Sequence, residues 1–208
     1  MNQTVQLSRV VDVLPGYPVK ARVEHDPDGA FQVVIPRHLG DEPVYAYKDE
    51  HALRMNLEGR PDRYLIAPGD VLFVSRGMSN RATYVARIPD ATVSTAVFYV
   101  LRPRRDLDPR YLTWYLNQAP TQMAIGQIRT GAGTPIVQRK ALMELSMPVP
   151  DLATQRRIAD VFELMNRERR LCQRLVDCIE RQHRLLSQEL LNGTMRLPNR
   201  AETDPDLA

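Results

Sequence analysis

The chain has 208 residues, of which 43% are hydrophobic, and its formal net charge at pH 7 is +3. This composition is sufficient for a packed core and excludes an intrinsically disordered protein. The uncharged stretch at 91–101 is far shorter than the ~20 apolar residues of a membrane-spanning helix, and the N-terminus carries an acid and an arginine where a signal peptide has its apolar block, so we expect a cytoplasmic protein without membrane association.

Charge is unevenly distributed along the chain. Residues 1–50 have a net charge of −3, whereas residues 51–150 have a net charge of +6. Within 71–105 there are six arginines and one acid, Asp90. Such a block suits a polyanionic partner. On charge alone, however, a solvated arginine-rich surface is the preferred interpretation.

The first 102 residues predict strands and turns. Short β-like runs alternate with turn clusters, and no helical period lasts. The run at 71–75 alternates too weakly for an exposed strand, so we predict a buried one. A turn around Pro89 and Asp90 separates the last two predicted strands. The predicted strands cover 31–35, 43–47, 71–75, 82–88 and 94–102.

The pattern then changes to a helical one. Tyr111, Leu112, Tyr115 and Leu116 repeat at three and four residues, with Asp108 as the predicted N-cap and Pro109 at the first helical position. Pro120 interrupts this helix. A glycine-containing loop, TGAGTP at 130–135, and a strand in SMPVP at 146–150 follow.

One long helix is predicted over 151–193, after Pro148 and Pro150 end the globular part. Asp151 is its predicted cap and Gly193 its end; about 40 residues at ~1.5 Å each give a rod of ~60 Å. Apolar residues recur at steps of seven, which is typical of a coiled-coil seam. The predicted dimerisation residues on this seam are Ile158, Val161, Met165, Cys172, Leu175, Ile179 and Leu186.

No catalytic or metal-binding constellation is visible in the sequence. We interpret the four histidines, His25, His38, His51 and His183, as surface residues, because no nucleophile or ligand lies at a suitable spacing. Cys172 and Cys178 lack partners for a metal and are interpreted as small buried hydrophobes. We therefore predict a protein without catalytic activity, metal or cofactor.

Three segments together resemble the specificity subunits of type I restriction-modification systems. They are PGDVLFVSRG at 68–77, RYLTWYLNQ at 110–118 with the following TPIVQRKAL, and the junction PVPDLATQRRIADVF at 148–162. In that family, such a junction marks the exit from a target recognition domain into a conserved spacer helix. The similarity extends from about Leu7 to Leu191.

The resemblance implies an α+β fold, with a mixed or antiparallel sheet in a target recognition domain at 1–150, a spacer and dimerisation helix at 151–193, and a flexible tail at 194–208. It also implies recognition of double-stranded DNA in a complex with a DNA methyltransferase subunit and, in restricting systems, a restriction or translocase subunit. Full-length members carry two recognition domains and two helices, whereas this chain has one of each. We therefore expect a half-subunit that forms a homodimer through its helix and reads a bipartite inverted-repeat site.

The basic middle segment supplies the candidate DNA-contacting residues. Arg76, Asn80 and Arg81 lie in the loop SRGMSNR, which we predict to be exposed and to offer donors for base edges and phosphates, and the others are predicted to bind phosphates. The candidates are Arg76, Asn80, Arg81, Arg102, Arg104, Arg105, Arg139 and Lys140.

Two other function classes stay open at this point. A self-associating scaffold that binds protein would use the helix but would have no need of the positive charge at 51–150. A nuclease with an unrecognised site is disfavoured because no carboxylate cluster is visible. Salt-sensitive affinity for duplex DNA would distinguish a DNA-recognition protein from a scaffold. Metal-dependent cleavage by the isolated protein would favour a nuclease.

Overall fold

The computed structural model describes residues 3–19, 23–40 and 42–193. The chain divides into two compact units, one ending at Phe162 and one beginning at Glu163. The predicted tail at 194–208 lies outside the described residues. In the described part, no helix is long and apolar enough to cross a membrane.

Short strands and short helices occupy the chain up to residue 149, and one long helix follows. In chain order the elements are β1 (Gln3–Gln6), α1 (Leu7–Val10), β2 (Val11–Pro15), β3 (Phe31–Val34), β4 (Val44–Ala46), β5 (Arg54–Met55), β6 (Val71–Val74), β7 (Ala82–Arg87), β8 (Thr92–Ser94), β9 (Phe98–Pro103), α2 (Pro109–Leu116), α3 (Ala119–Gln127), β10 (Arg129–Thr130), β11 (Ile136–Val137), α4 (Arg139–Glu144), β12 (Ser146–Val149) and α5 (Leu152–Leu191).

The main sheet has five strands in the order β2-β9-β6-β7-β4, antiparallel except for the parallel pair β4 and β7. Its central strand β6 is buried, as predicted from the weak alternation. Val71 and Phe73 belong to the hydrophobic cluster on one side, and Leu72 belongs to a second cluster. A strand that is buried on both faces needs apolar residues at every position, which explains the continuous apolar run. The predicted α+β fold with a mixed sheet is thus confirmed.

The predicted strand at 94–102 is wrong in its extent. The chain makes two strands there: β8 joins a three-stranded sheet in the order β5-β3-β8, and β9 joins the main sheet. Between them the Phe98 N–H donates to the Thr95 carbonyl at 3.0 Å, closing a turn. Thr95 and Val97 favour strands, and Ala96 is not one of the residues typical of turns, so sequence signals do not reveal this turn. Strands β7 and β9 are also not neighbours, because β6 lies between them.

Helix α2 begins as predicted, since the Asp108 side chain accepts hydrogen bonds from the backbone N–H groups of Arg110 and Tyr111. The two tyrosines one turn apart tie this helix to β12. The Tyr111 hydroxyl donates to the Pro148 carbonyl at 2.8 Å, and the Tyr115 hydroxyl donates to the Ser146 carbonyl at 2.7 Å. Pro120, which interrupts the helical pattern, lies in the first turn of α3.

The start of α5 is fixed by Asp151 and Gln155. The Asp151 carboxylate accepts from the Thr154 N–H at 3.0 Å, which confirms the predicted cap. The fully buried Gln155 amide donates to the carbonyls of Pro150 and Asp106 and accepts from the Asp108 N–H. One side chain thereby satisfies three backbone groups, which explains why a glutamine stands in this junction. The helix ends at Leu191, and Gly193 has the positive φ of +67° expected after a helix C-terminus.

Candidate nucleic-acid interface

Two turns lie side by side at one end of the main sheet. One is the β6–β7 turn at 75–81, and the other is the β10–β11 hairpin at 129–137. The Gly77 N–H donates to the Pro135 carbonyl at 2.8 Å, and the Val137 N–H donates to the Ser75 carbonyl at 2.9 Å. Segment 81–82 pairs with 73–74, the continuation at 75–77 lies beside 135–137, and 136–137 pairs with 129–130. We call residues 75–81 and 129–140, which add the start of α4, the basic turn pair.

Asn80 is the internal brace of the basic turn pair, and the prediction that it is exposed is wrong. It is fully buried. Its amide donates to the Val74 carbonyl at 2.9 Å and accepts from the Arg129 Nε at 2.6 Å, while its backbone carbonyl accepts from Gln122. A short amide side chain in a turn of this kind satisfies backbone and side-chain groups at once, so Asn80 holds the loop together and does not face solvent.

Another amide anchors the β7 end of the same turn. The Asn117 side chain, just beyond α2, accepts from the Ala82 N–H at 3.0 Å and donates to the Ala82 carbonyl at 2.8 Å. The residue before Ala82 is Arg81. The loop that carries Arg76 and Arg81 is thus attached at both ends to rigid elements, which is the arrangement expected of a binding loop on a fixed scaffold.

The basic turn pair carries five cationic residues. The two segments contain no Asp or Glu. Arg76, Arg139 and Lys140 are exposed, and Arg81 and Arg129 are partly buried. Sequence reasoning found four of these five cations and missed Arg129, because its role depends on Asn80, 49 residues away. The arrangement concentrates cations on a rigid surface, as polyanion binding requires.

The remaining predicted contacts, Arg102, Arg104 and Arg105, lie at the opposite end of the sheet. The β6–β9 register pairs Val71 with Leu101 and Val74 with Phe98, so Arg76 and Arg102 are separated by about six strand residues, or ~20 Å. The eight predicted DNA-contacting residues therefore do not form one surface.

Two of these three arginines are engaged by carboxylates. Both carboxylate oxygens of the buried Asp70 accept from Arg102, each at 2.8 Å. Arg104 donates to Asp12 at 2.7 Å and to the Arg9 carbonyl at 3.0 Å. The hydrogen bond from Arg104 lowers the pKa of Asp12 below its usual value, and the hydrogen bond to Asp70 raises the pKa of Arg102. Arg105 is exposed.

The interpretation of all four histidines as surface residues is wrong for His38. This ring is buried and stacks on His51, with the ring centroids 5.4 Å apart, and His51 stacks in turn on Tyr45 at 5.4 Å. Burial, reinforced by His51 and Arg37, lowers the pKa of His38 to about 4. The His38 side chain is therefore neutral at pH 7 and belongs to the packing of the domain.

Most of the predicted dimerisation residues lie on an uncovered face of α5. Val161, Met165, Leu175 and Ile179 are exposed, and Leu186 is partly buried. Cys172 and Cys178 are exposed, so the expectation that they are buried is wrong for the single chain. Ile158 differs from the rest of the predicted set because it packs against the hydrophobic core of its own domain.

Metal-binding geometry is not found in residues 3–19, 23–40 and 42–193. No three His, Cys, Asp or Glu side chains converge there as ligands.

Solved structures with a similar fold come from type I restriction-modification systems. A chain from a study of complex assembly and conformational transition of such a system matches with a TM-score of 0.70 and 19% identity, over 91% of this chain and 44% of that one. The HsdS subunit from Thermoanaerobacter tengcongensis matches with a TM-score of 0.57 and 20% identity, over 80% of this chain and 37% of that one. The S subunit from M. genitalium matches with a TM-score of 0.57 and 11% identity, over 90% of this chain and 45% of that one.

These similarities confirm the predicted resemblance at the level of the fold. The chain spans less than half the length of each of the three structures. The sequence matches no protein-family model and no curated protein.

Proposed function

We propose that the chain is a sequence-specific DNA recognition subunit of a type I-like restriction-modification, or related phage-defence, methyltransferase complex, without catalytic activity of its own. The observation that carries this proposal is the basic turn pair, in which five cations with no acid among them lie on a surface braced by Asn80. The fold shared with specificity subunits supports the same function.

We assign DNA contact to the basic turn pair alone. Arg76 and Arg81 are suited to base edges and phosphates, and Arg139 and Lys140 are suited to phosphates. We add Arg129 to the proposed DNA-contacting residues, because it lies in the β10–β11 hairpin of the basic turn pair. Arg102 and Arg104 have a structural role, because each binds a carboxylate of its own domain.

A second copy of the chain is the proposed partner of α5. Its 40 residues correspond to ~60 Å, slightly less than two turns of B-DNA at ~34 Å each. Two recognition domains separated by such a helix pair suit an inverted-repeat site with a non-specific spacer. The same helix surface is the proposed docking site of the methyltransferase subunit, and one similar structure belongs to a study of type I complex assembly.

Selection from a randomised duplex library tests DNA recognition. The full chain should enrich a bipartite inverted repeat. A scaffold protein would enrich no sequence and would show no salt-dependent affinity for duplex DNA. Metal-dependent cleavage of the library by the purified chain would point to a nuclease and contradict the proposal.

Light scattering on the full chain tests self-association. The expected mass is twice 23.8 kDa, or about 48 kDa. Replacing Leu175 and Ile179 by glutamate should give a monomer, because both residues lie on the apolar face of α5. Arg184→Glu is the matched control and should stay dimeric, because the exposed Arg184 lies ~180° around the helix from Leu175 and ~140° from Ile179. A wild-type monomer at micromolar concentration would contradict homodimerisation through α5.

A further inference from the structure

Met78 lies in the middle of the basic turn pair and is strongly exposed. Its residue exposure is 73%, although it is the only large apolar residue in the loop SRGMSNR. The Met78 sulfur accepts a hydrogen bond from Arg129 Nη1 at 3.9 Å. The same Arg129 guanidinium donates from Nε to Asn80, so the brace that fixes the loop also contacts the exposed methionine.

The backbone around Met78 is held in place by its neighbours. Gly77, which precedes it, has a φ of +93°, a conformation that a residue with a side chain rarely adopts. The Gly77 N–H is bound to Pro135, and the Ser75 hydroxyl donates to the Val97 carbonyl at 2.8 Å. A flexible apolar side chain is thereby presented from a fixed backbone, next to Arg76 and Arg129.

The turn that carries Met78 joins β6 and β7, which form a two-stranded antiparallel ribbon where they enter the turn. The major groove, ~12 Å wide, admits a two-stranded β-ribbon, whereas the minor groove is only ~6 Å wide. Insertion of Met78 as a wedge from the minor groove is therefore disfavoured relative to contact in the major groove.

Only one base-edge group in the major groove is apolar, the C5-methyl of thymine. We propose that Met78 is a specificity-determining residue that contacts a thymine methyl in each half-site, an inference that rests on the proposed DNA recognition. The surrounding arginines bind phosphates and polar base edges, and Met78 adds selection for an A·T pair that charge alone does not provide.

Deoxyuridine scanning of the enriched duplex tests this contact, since uracil lacks only the methyl group. With the full chain, replacing the contacted thymine in one half-site should raise the Kd about fourfold, the value of one buried methyl-sized group. Met78→Ala should bind the thymine and uracil duplexes equally. Met123→Ala is the matched control, because Met123 is 65% exposed on α3 outside the basic turn pair, and it should retain the wild-type response.

The outcomes separate this inference from the function on which it rests. If the wild type enriches no motif, DNA recognition itself is wrong and the Met78 contact falls with it. If the wild type enriches a motif but no thymine-to-uracil position distinguishes it from Met78→Ala, DNA recognition stands and the Met78 contact is overturned. Equal thermal unfolding of the two variants and the wild type shows that the fold is intact.

Discussion

The two ends of the five-stranded sheet both carry clustered arginines, and they differ in what surrounds them. Arg102 and Arg104 meet Asp70 and Asp12, which are 32 and 92 residues away in sequence. The cations of the basic turn pair have no acid within their own segments, and its buried polar residues, Ser75 and Asn80, are uncharged. Carboxylate partners give Arg102 and Arg104 a role within the domain, whereas Arg76, Arg139 and Lys140 present their charge on an exposed surface.

Loss of Arg102 should have the largest effect on stability and none on DNA binding. In Arg102→Gln the buried Asp70 carboxylate keeps only part of its hydrogen bonding. Removing one partner of a buried pair costs several kcal/mol, and since the Arg102 side chain is 44% exposed, we expect the free energy of unfolding to fall by about 2–3 kcal/mol. Urea denaturation measures this loss. A large loss of duplex affinity in the folded variant would contradict the structural role.

Asn80→Ala should affect both properties, because Asn80 is buried and braces the binding surface. The Val74 carbonyl and Arg129 lose their partner, and a buried unsatisfied group of this kind costs about 2 kcal/mol in the free energy of unfolding. Duplex affinity should fall as well, since the turns at 75–81 and 129–137 lose their link. Urea denaturation measures the loss of stability, and fluorescence anisotropy with a labelled duplex measures the loss of affinity on the same preparation. Unchanged affinity would mean that the brace has no part in recognition.

The double variant Arg76→Gln/Lys140→Gln should lose DNA affinity without losing stability. Each of the two side chains is exposed, and each phosphate contact is worth roughly a factor of ten in affinity at 0.1 M salt. We expect the Kd for an enriched duplex to rise about a hundredfold, with an unfolding free energy within ~0.5 kcal/mol of wild type. Arg105→Gln, an exposed arginine at the other end of the sheet, is the control and should bind like wild type.

The smallest effect is expected for the exposed pair of Arg104 and Asp12, and it depends on pH. Arg104 lowers the pKa of Asp12 in the folded chain, so the folded state releases this proton more readily than the unfolded state. The stabilisation is present above the unfolded pKa of about 3.9 and is lost as the pH falls through the lower folded value.

Urea denaturation of wild type and Arg104→Gln at pH 6 and pH 3 gives the difference in the free energy of unfolding between the two chains at each pH. This difference should be smaller at pH 3 than at pH 6. The titration of His38 does not affect the difference, because both chains contain His38. A larger difference at pH 3 would contradict the assigned role of Asp12.

Local sequence signals were sufficient where a structural element depends on adjacent residues. The caps at Asp108 and Asp151, the buried strand β6 and the end of α5 follow from short-range chemistry. The division between β8 and β9 did not follow, because the turn at Thr95–Val97 contains no typical turn residue and two of its residues, Thr95 and Val97, favour strands.

The candidate site could be predicted only in part, because some of its residues depend on contacts between distant parts of the chain. Charge identified Arg76, Arg81, Arg139 and Lys140, which the fold brings together. Burial of Asn80 and its bond to Arg129 depend on contacts over 49 residues. A single sequence also gives no means of separating Arg102, with its distant partner Asp70, from an arginine that faces DNA.

The salt dependence of duplex binding tests DNA contact by the basic turn pair most directly. The affinities of wild type, Arg76→Gln/Lys140→Gln and Arg105→Gln for one enriched duplex would be measured across a salt series. The slope of log K against log salt should become shallower by about 2 per bound subunit in the double variant, one unit for each lost phosphate contact, and stay unchanged in Arg105→Gln. Equal slopes in all three chains, or a shallower slope in Arg105→Gln alone, would contradict DNA contact by the basic turn pair.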